Sequence, residues 1–125
     1  MRLNQITIPV LNIPKAIAFY QQLGLQLIVH THDKYARLMC PDGQATFSLH
    51  LVDTLPSGKG IVVYFECDDL DAKVTELQNK GIEFEQPPID QSWLWREAHL
   101  RDLDNNQIIL YYAGENRLNP PWRIK

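Results

Sequence analysis

The sequence predicts an α+β protein made of two βαβββ modules, because one pattern of strand, cap, helix and glycine occurs twice. The pattern occupies residues 6–24 and returns in residues 61–81. A shift of about 57 positions places Asn12 on Asp69 and Gly24 on Gly81, and a self-match at a fixed offset indicates a duplicated supersecondary unit. Short apolar and alternating runs after each glycine then predict the further strands of each copy.

Asn12 and Gly24 bound the helix of the first module. An asparagine side chain accepts a hydrogen bond from a free amide of the first helical turn, and glycine readily adopts the left-handed conformation that ends a helix. Apolar residues between these two positions recur at helical spacing. The strands predicted around this helix are Leu3–Val10, Leu25–His30, Tyr35–Cys40 and Ala45–Val52.

Asp69 and Gly81 bound the matching helix of the second module, predicted over Leu70–Lys80. The sequence Gln86-Pro87-Pro88 is interpreted as a break in the chain, because proline cannot donate a backbone hydrogen bond. The first strand of this module starts at Ile61. The later strands are predicted at Ile82–Phe84, Trp93–Arg101 and Gln107–Ala113.

The chain is predicted to form one domain with an internal linker. Residues 55–60 combine proline, serine and two glycines between two apolar runs, which is typical of a connection. The expected parts are module one at residues 1–55, the linker at 55–60, module two at 61–113 and a tail at 114–125. We expect the tail to pack on the domain or on a dimer partner, since it is apolar and stiffened by proline.

A four-stranded sheet with a helix on one side leaves its other face uncovered. Two such sheets are therefore expected to face each other, or another chain, around a shared concave space. A ligand site is expected on these uncovered faces.

Composition excludes several classes of function. The net charge of −3 argues against a nucleic-acid partner that is bound through phosphates. No apolar run approaches the roughly 20 residues of a membrane-spanning helix, and the N-terminal residues lack the apolar core of a signal peptide. Cys40 and Cys67 have neither metal nor redox spacing. A cytoplasmic location is the expectation that follows.

Three stretches carry a resemblance to a known family. They are Ile6–Val10 with the Phe19-Tyr20 and Leu23-Gly24 pairs, Phe65–Ala72 (FECDDLDA) and Arg101–Tyr111 (RDLDNNQIILY). The chain resembles the vicinal oxygen chelate superfamily of glyoxalase I, extradiol dioxygenases and bleomycin-resistance proteins over residues 3–113. The resemblance implies paired βαβββ modules whose mixed sheets form a U-shaped cleft, and it implies a homodimer.

The resemblance also carries four metal-ligand positions of the family's enzymes onto this chain: Gln5, Ser48, Val62 and Ile109. Val62 and Ile109 have no lone pair to offer, and a serine hydroxyl is a poor ligand. A catalytic divalent cation needs three or four nitrogen or oxygen donors. We therefore expect no metal and no other cofactor.

A shift of the alignment by two residues keeps the same strand faces and offers donors instead. The shifted set is Gln5, His50, Glu66 and Tyr111, which makes His50, Glu66 and Tyr111 candidate catalytic residues. An unpaired buried carboxylate is costly. If Glu66 is buried, Arg37 or Arg96 is its expected partner.

Strand alternation identifies the residues that point away from the helices. From this surface we select candidate ligand-binding residues, which combine aromatic rings with a few polar and ionisable groups: Gln5, Arg37, Ser48, His50, Tyr64, Glu66, Trp95, Arg96, His99, Ile109 and Tyr111. Trp93 and Trp95 are expected to share one strand face, with Arg96 on the opposite face unless a bulge turns it. The tryptophans either stack on a ligand, fill the cleft or bury an interface.

Three hypotheses about function follow. The first is a metal-free protein that holds a small aromatic or amphipathic molecule in the cleft. The second is an enzyme with a displaced metal site or with metal-free acid–base chemistry, for which His50–Glu66 and His99–Glu97 are the candidate pairs. The third is a protein-interaction module whose aromatic cleft takes a peptide or a partner subunit.

Overall fold

The computed structural model describes residues 1–124. The helices are α1 (Ile13–Leu23), α2 (Leu70–Asn79) and a short 3-10 helix at Gly114–Arg117. The strands are β1 (Gln5–Val10), β2 (Gln26–Thr31), β3 (Tyr35–Met39), β4 (Thr46–Leu51), β5 (Val62–Glu66), β6 (Gln86–Asp90), β7 (Arg96–Arg101) and β8 (Gln107–Tyr112).

Contacts divide the chain into two compact units. The first holds residues 1–60 together with 102–105, and the second holds residues 61–101 and those from 106 onward. The strand order is β1-β4-β3-β2 in the first unit and β5-β8-β7-β6 in the second. In each sheet the first strand runs parallel to the last, and the other neighbours are antiparallel. The predicted α+β architecture of two βαβββ modules is confirmed.

In the first unit α1 covers one face of the sheet. The Asn12 side chain accepts from the Lys15 amide at 2.9 Å, and Gly24 ends the helix with a left-handed φ of 110°. Tyr20 is fully buried, and its ring lies 4.5 Å from that of Phe47. The Tyr20 hydroxyl donates to Asp102 Oδ2 at 2.5 Å, so the Asp102–Asn105 turn packs in this unit.

The second unit repeats this arrangement with different side chains. Asp69 accepts from the Ala72 amide at 3.2 Å, and Gly81 has a φ of 92° just beyond α2. The apolar side chains between α2 and its sheet are buried, and they include Val63, Val74, Leu77, Ala98, Leu100, Ile108 and Leu110. The predicted N-caps Asn12 and Asp69 and the C-cap Gly24 lie where the repeat placed them, whereas the C-cap of α2 is Lys80, one residue before Gly81.

Two predictions about the second sheet are wrong. The second strand of the module is β6 at Gln86–Asp90, and Ile82–Phe84 is not a strand. Within residues 1–124, β6 pairs only with β7, and the register of this pair shifts between Gln86 and Ile89. Proline has no backbone N–H to donate to a neighbouring strand. It is therefore tolerated in an edge strand and at a shift in register, where that hydrogen bond is not needed.

The predicted strand Trp93–Arg101 starts later than expected, at Arg96. The residues before it form a turn, in which the Leu94 amide donates to Gln91 O at 3.0 Å and Leu94 has a φ of 65°. Trp93 and Trp95 therefore do not share a strand face, because the left-handed residue between them turns the chain.

The helices of the described part of the chain are short. α1 has 11 residues and α2 has 10, whereas a bilayer crossing takes roughly 20. No helix in residues 1–124 is long and apolar enough to cross a membrane.

Candidate functional site

We call the face of each sheet opposite to its helix the uncovered face. The uncovered face of the second sheet carries the densest group of functional side chains. In its register Glu97 lies opposite Tyr111, and Ile109 lies opposite both His99 and Tyr64. Directly opposed residues project to the same side of a sheet. These five side chains therefore share one face, opposite to the face on which Ala98, Leu100 and Ile108 pack under α2.

Three aromatic rings form a cluster on this face. Trp95 stacks on Tyr111 with ring centroids 4.6 Å apart and an interplanar angle of 21°. Tyr64 stands edge-on to both, at 5.9 Å from Trp95 and 5.5 Å from Tyr111. We call Tyr64, Trp95 and Tyr111 the ring cluster. Trp95 and Tyr111 are its inner pair, whereas Tyr64 is 46% exposed and forms its outer surface.

Glu97 is a buried acid beside the ring cluster, with only 2% of the residue exposed. Its Oε2 accepts from Trp93 Nε1 at 2.7 Å, and its Oε1 accepts from His99 Nε2 at 2.9 Å. Burial of a carboxylate is costly unless hydrogen bonds replace water, and two ring N–H groups do so here. Burial of Tyr64 raises its pKa, and the charge of Glu97 raises it further.

The turn before β7 explains how Trp93 reaches Glu97. Leu94 is left-handed and the Gln91 amide donates to Trp95 O at 2.7 Å, so the hairpin folds Trp93 back over the strand. The contact between Trp93 and Glu97 was not predicted from the sequence. The sequence does place Glu97 close to Trp93 and Trp95. Because an indole N–H can only donate, a nearby carboxylate is a natural acceptor for it.

Glu66 binds the start of the tail. Its Oε2 accepts from the amides of Ala113 and Gly114 at 2.8 and 2.9 Å, and Arg117 Nε lies 3.8 Å from Oε1. Glu66 is exposed, so the condition under which Arg37 or Arg96 was expected as its partner is not met. The Glu66 carboxylate thus accepts from backbone amides at the beginning of the 3-10 helix. Within this helix, the backbone carbonyl of Asn116 accepts from Trp95 Nε1 at 3.4 Å.

Arg96 lies apart from the ring cluster. It projects to the helix-bearing face, where its Nε donates to Asp71 Oδ1 at 2.9 Å and its Nη1 to Asp90 Oδ1 at 3.0 Å. The hydrogen bonds to Asp71 and Asp90 raise the pKa of the guanidinium. Arg96 was selected as a ligand-binding candidate, and the structure places it on the face opposite to the ring cluster, as strand alternation predicted, with its charge paired by Asp71 and Asp90.

The uncovered face of the first sheet carries a second polar group. Ser48 is fully buried, and its Oγ lies 2.7 Å from the Tyr35 hydroxyl. Arg37 Nε donates to the same hydroxyl at 2.9 Å. His50 lies opposite Tyr35 in the register and is exposed to solvent. Tyr35 was absent from the candidate residues, although alternation places it on the same face as Arg37.

The two polar groups occupy equivalent strand positions. Arg37 lies opposite Ser48 on β4, and His99 lies opposite Ile109 on β8. Ser48 in turn lies opposite Thr7 on β1, as Ile109 does opposite Tyr64 on β5. The repeat thus relates the Tyr35–Arg37 pair to the Glu97–His99 pair.

The positions that the resemblance assigned to a metal do not suit one. Gln5 Oε1 accepts from Thr46 Oγ1 at 2.8 Å, and Ser48 Oγ is bonded to Tyr35. Val62 and Ile109 have aliphatic side chains. Among residues 1–124, no three His, Cys, Asp or Glu side chains are grouped so that they could hold a metal ion. This donor set does not fit the divalent cation of the family's enzymes.

Comparison with known sequences gives one family. The sequence model of the Glyoxalase/Bleomycin resistance protein/Dioxygenase superfamily matches residues 2–110. The uncharacterized protein YraH of Bacillus subtilis (strain 168) is 28% identical over an alignment of 127 residues. The alignment covers 89% of this chain and 98% of YraH.

Solved structures share the fold. A glyoxalase/bleomycin resistance protein/dioxygenase from Nocardioides matches with a TM-score of 0.81 at 18% identity, covering 100% of this chain and 90% of its own. Lactoylglutathione lyase from Agrobacterium tumefaciens matches with a TM-score of 0.75 at 17% identity, covering 89% of this chain and 92% of its own. At such identities the likeness concerns the fold alone.

Proposed function

The chain belongs to the Glyoxalase/Bleomycin resistance protein/Dioxygenase superfamily, and we propose that it is a metal-free member that binds a small aromatic or amphipathic molecule. The observation that carries this proposal is the ring cluster with the buried Glu97 beside it. Small-molecule sites combine apolar walls with a few fixed polar groups. The uncovered face of the second sheet has both components.

The outer surface of the ring cluster is the proposed contact for an aromatic ligand. Tyr64 is fixed edge-on against Trp95 and Tyr111, and nearly half of it is exposed. A ligand ring can stack on it at little cost in conformational entropy, because its partners already hold the side chain. The imidazole of His99, bonded to Glu97 through Nε2, supplies a polar contact on the same face.

A ligand screen with matched tyrosine variants tests this proposal. Neutral, cationic and anionic aromatic compounds are screened by tryptophan fluorescence, and hits are titrated by NMR. Tyr64→Ser is expected to weaken a hit roughly tenfold, the scale of a lost aromatic contact. Tyr112→Ser is the control, because Tyr112 is 45% exposed on the same sheet but lies on the helix-bearing face. Equal losses in the two variants contradict the proposed contact.

The metal-free state is tested by elemental analysis of protein purified without chelator. We expect far less than one equivalent of metal, and no rise in melting temperature on addition of Mn, Ni, Zn or Fe. A ligand that binds only the folded state stabilises it by RT ln(1 + L/Kd), where L is the free ligand concentration, so the stabilisation grows with the logarithm of that concentration. A melting rise of several degrees would therefore contradict this part of the proposal.

A second candidate function is metal-free acid–base catalysis by the Glu97–His99 pair. His99 is half-buried, its Nε2 is held by a buried carboxylate, and this leaves Nδ1 as the nitrogen that can exchange a proton with a bound molecule. Each screening hit is incubated in D₂O and followed by proton NMR. Turnover or hydrogen exchange that is lost in His99→Gln while binding is retained supports an enzymatic function. If no hit shows turnover or exchange, the proposal of a binding protein stands.

The homodimer, the cytoplasmic location and the U-shaped cleft remain predictions. Sedimentation velocity at several concentrations tests the dimer directly. If no small molecule binds and a partner protein instead quenches Trp95, the third hypothesis of a protein-interaction module takes the lead.

A further inference from the structure

We propose that Tyr35, Arg37 and Ser48 form a binding site for the carboxylate group of a small-molecule ligand on the uncovered face of the first sheet. This site goes beyond the proposed function, because it uses different residues in a different unit and recognises a charged group.

The hydrogen bonding of Arg37 differs from that of the arginines that form ion pairs on the second sheet. Arg96 is paired with Asp71 and Asp90, and Arg101 with Glu85 at 3.0 Å. Arg37 is half-buried, and in the described residues no carboxylate lies within 4 Å of it; its hydrogen bond goes from Nε to a neutral phenol. A partly desolvated guanidinium without a counter-charge is a favourable place for an external anion.

The hydrogen bonds around Tyr35 allow its hydroxyl proton to be donated to a ligand. The phenol oxygen accepts from Arg37 Nε at 2.9 Å and lies 2.7 Å from Ser48 Oγ. When the fully buried Ser48 hydroxyl donates to this oxygen, the phenol proton is left to donate outward. The Tyr35 O–H and the Nη groups of Arg37 then offer donors on one face.

Electrostatics at Tyr35 agree with this arrangement. Partial burial raises the pKa of the phenol, but the hydrogen bonds with Ser48 and Arg37 and the charge of Arg37 outweigh it and lower the pKa of Tyr35 overall. The group around the phenol oxygen therefore favours negative charge. The planar fork of a guanidinium matches a carboxylate, and its single positive charge balances one anion.

The test follows the Arg37 Nε–H signal by NMR in the full-length chain. Sodium benzoate is titrated at constant ionic strength, and benzamide serves as the neutral probe of the same shape. We expect saturable shifts at Arg37 and at the Tyr35 ring with benzoate and none with benzamide. Shifts that are equal for the two probes, or that do not saturate, overturn the proposal.

Three variants make the assignment specific. Arg37→Met keeps the aliphatic stem and is expected to raise the Kd for benzoate roughly tenfold or more, the scale of a lost charge-assisted contact. Tyr35→Phe is expected to raise it by a smaller factor of about three to ten, because one donor is lost. Arg101→Met is the control, since Arg101 lies on the uncovered face of the other sheet. An unchanged Kd in Arg37→Met, in protein shown by its unfolding midpoint to be folded, refutes the site.

Two further measurements separate this site from the ring cluster and from other anions. The benzoate shifts at Arg37 are expected to persist in Tyr64→Ser, so that failure of the proposed function and failure of this site are distinguishable. Inorganic phosphate is titrated in parallel. Tighter binding of phosphate than of benzoate overturns the assignment to carboxylate.

Discussion

Arg37 and His99 occupy equivalent positions in the two sheets, and each donates a hydrogen bond of 2.9 Å to the side chain two residues before it. For Arg37 the acceptor is the phenol of Tyr35, and for His99 it is the carboxylate of Glu97. The duplication has therefore kept the strand geometry while the chemistry has diverged. One sheet presents a cation beside a phenol, and the other presents a buried acid beside an imidazole.

Glu97→Gln is predicted to lower the pKa of Tyr64 towards its ordinary value, because the charge of Glu97 adds to the effect of burial there. The Tyr64 ring is followed by carbon-13 NMR through an alkaline titration. Glu83→Gln is the control, since Glu83 is an exposed acid of the same unit. An unchanged titration of Tyr64 in Glu97→Gln would show that the charge of Glu97 does not act on it.

Glu97→Leu is predicted to cost more stability than Glu97→Gln. The leucine leaves the N–H groups of Trp93 and His99 without their acceptor, and because both side chains are partly exposed we expect a loss of about 1 kcal/mol for each of the two donors. Glutamine retains an acceptor oxygen, so a loss of about 1 kcal/mol is expected. Urea unfolding measures both values, and equal losses would mean that the two hydrogen bonds contribute little.

Tyr20→Phe is predicted to destabilise the protein by about 1.5–3 kcal/mol at neutral pH, through loss of a buried hydrogen bond to the Asp102 carboxylate. Burial raises the pKa of Tyr20 far above its ordinary value, and the charge of Asp102 adds to this. The folded phenol therefore stays neutral where an unfolded tyrosine, with a pKa of about 10, loses its proton. The contribution of this group is complete below about pH 10 and declines as the pH rises further.

The measurement for Tyr20 is urea unfolding of wild type and Tyr20→Phe at pH 7 and again above about pH 10. The difference in unfolding free energy between them is expected to shrink at the higher pH. Tyr112→Phe is the control, because Tyr112 is exposed. A difference that stays constant with pH would contradict the raised pKa of Tyr20.

Glu66→Ala is predicted to loosen the start of the tail. It removes the acceptor of the Ala113 and Gly114 amides, with an expected loss of about 1 kcal/mol because the carboxylate is partly exposed. Faster hydrogen exchange at these two amides is the readout. Glu115→Ala changes an acid within the 3-10 helix itself and is expected to leave them slow. Unchanged exchange rates in Glu66→Ala would show that the hydrogen bonds to Glu66 do not protect these two amides.

Leu94→Gly is predicted to be neutral or to stabilise the protein by up to about 1 kcal/mol, since a left-handed conformation costs roughly 1–2 kcal/mol for a residue with a Cβ. Leu94 is exposed, so little packing is lost. Leu103→Gly is the comparison, because Leu103 is an exposed leucine without a positive φ, and there glycine is expected to destabilise. Unfolding midpoints of the two variants measure the difference, and equal effects would argue against strain at Leu94.

Local signals in the sequence were sufficient for the architecture. The caps at Asn12 and Asp69, the glycines at Gly24 and Gly81 and the alternation along the strands act between residues that are neighbours in the chain. The same alternation placed Tyr64, Glu97 and His99 on one face. The predicted chain break at Gln86-Pro87-Pro88 was wrong. These residues belong to β6, an edge strand that pairs with β7, and prolines are tolerated at such a position.

The sequence by itself determined the two βαβββ modules, the family and the side of each strand, because these depend on short-range periodicity and on motifs. The tertiary structure alone decided which groups pair. Trp93 reaches Glu97 through a left-handed turn, Glu66 binds the amides of Ala113 and Gly114, and Arg37 is left with a phenol. Hydrogen-bond partners depend on distances of a few ångströms between segments that are remote in the chain, and residue types do not encode those distances.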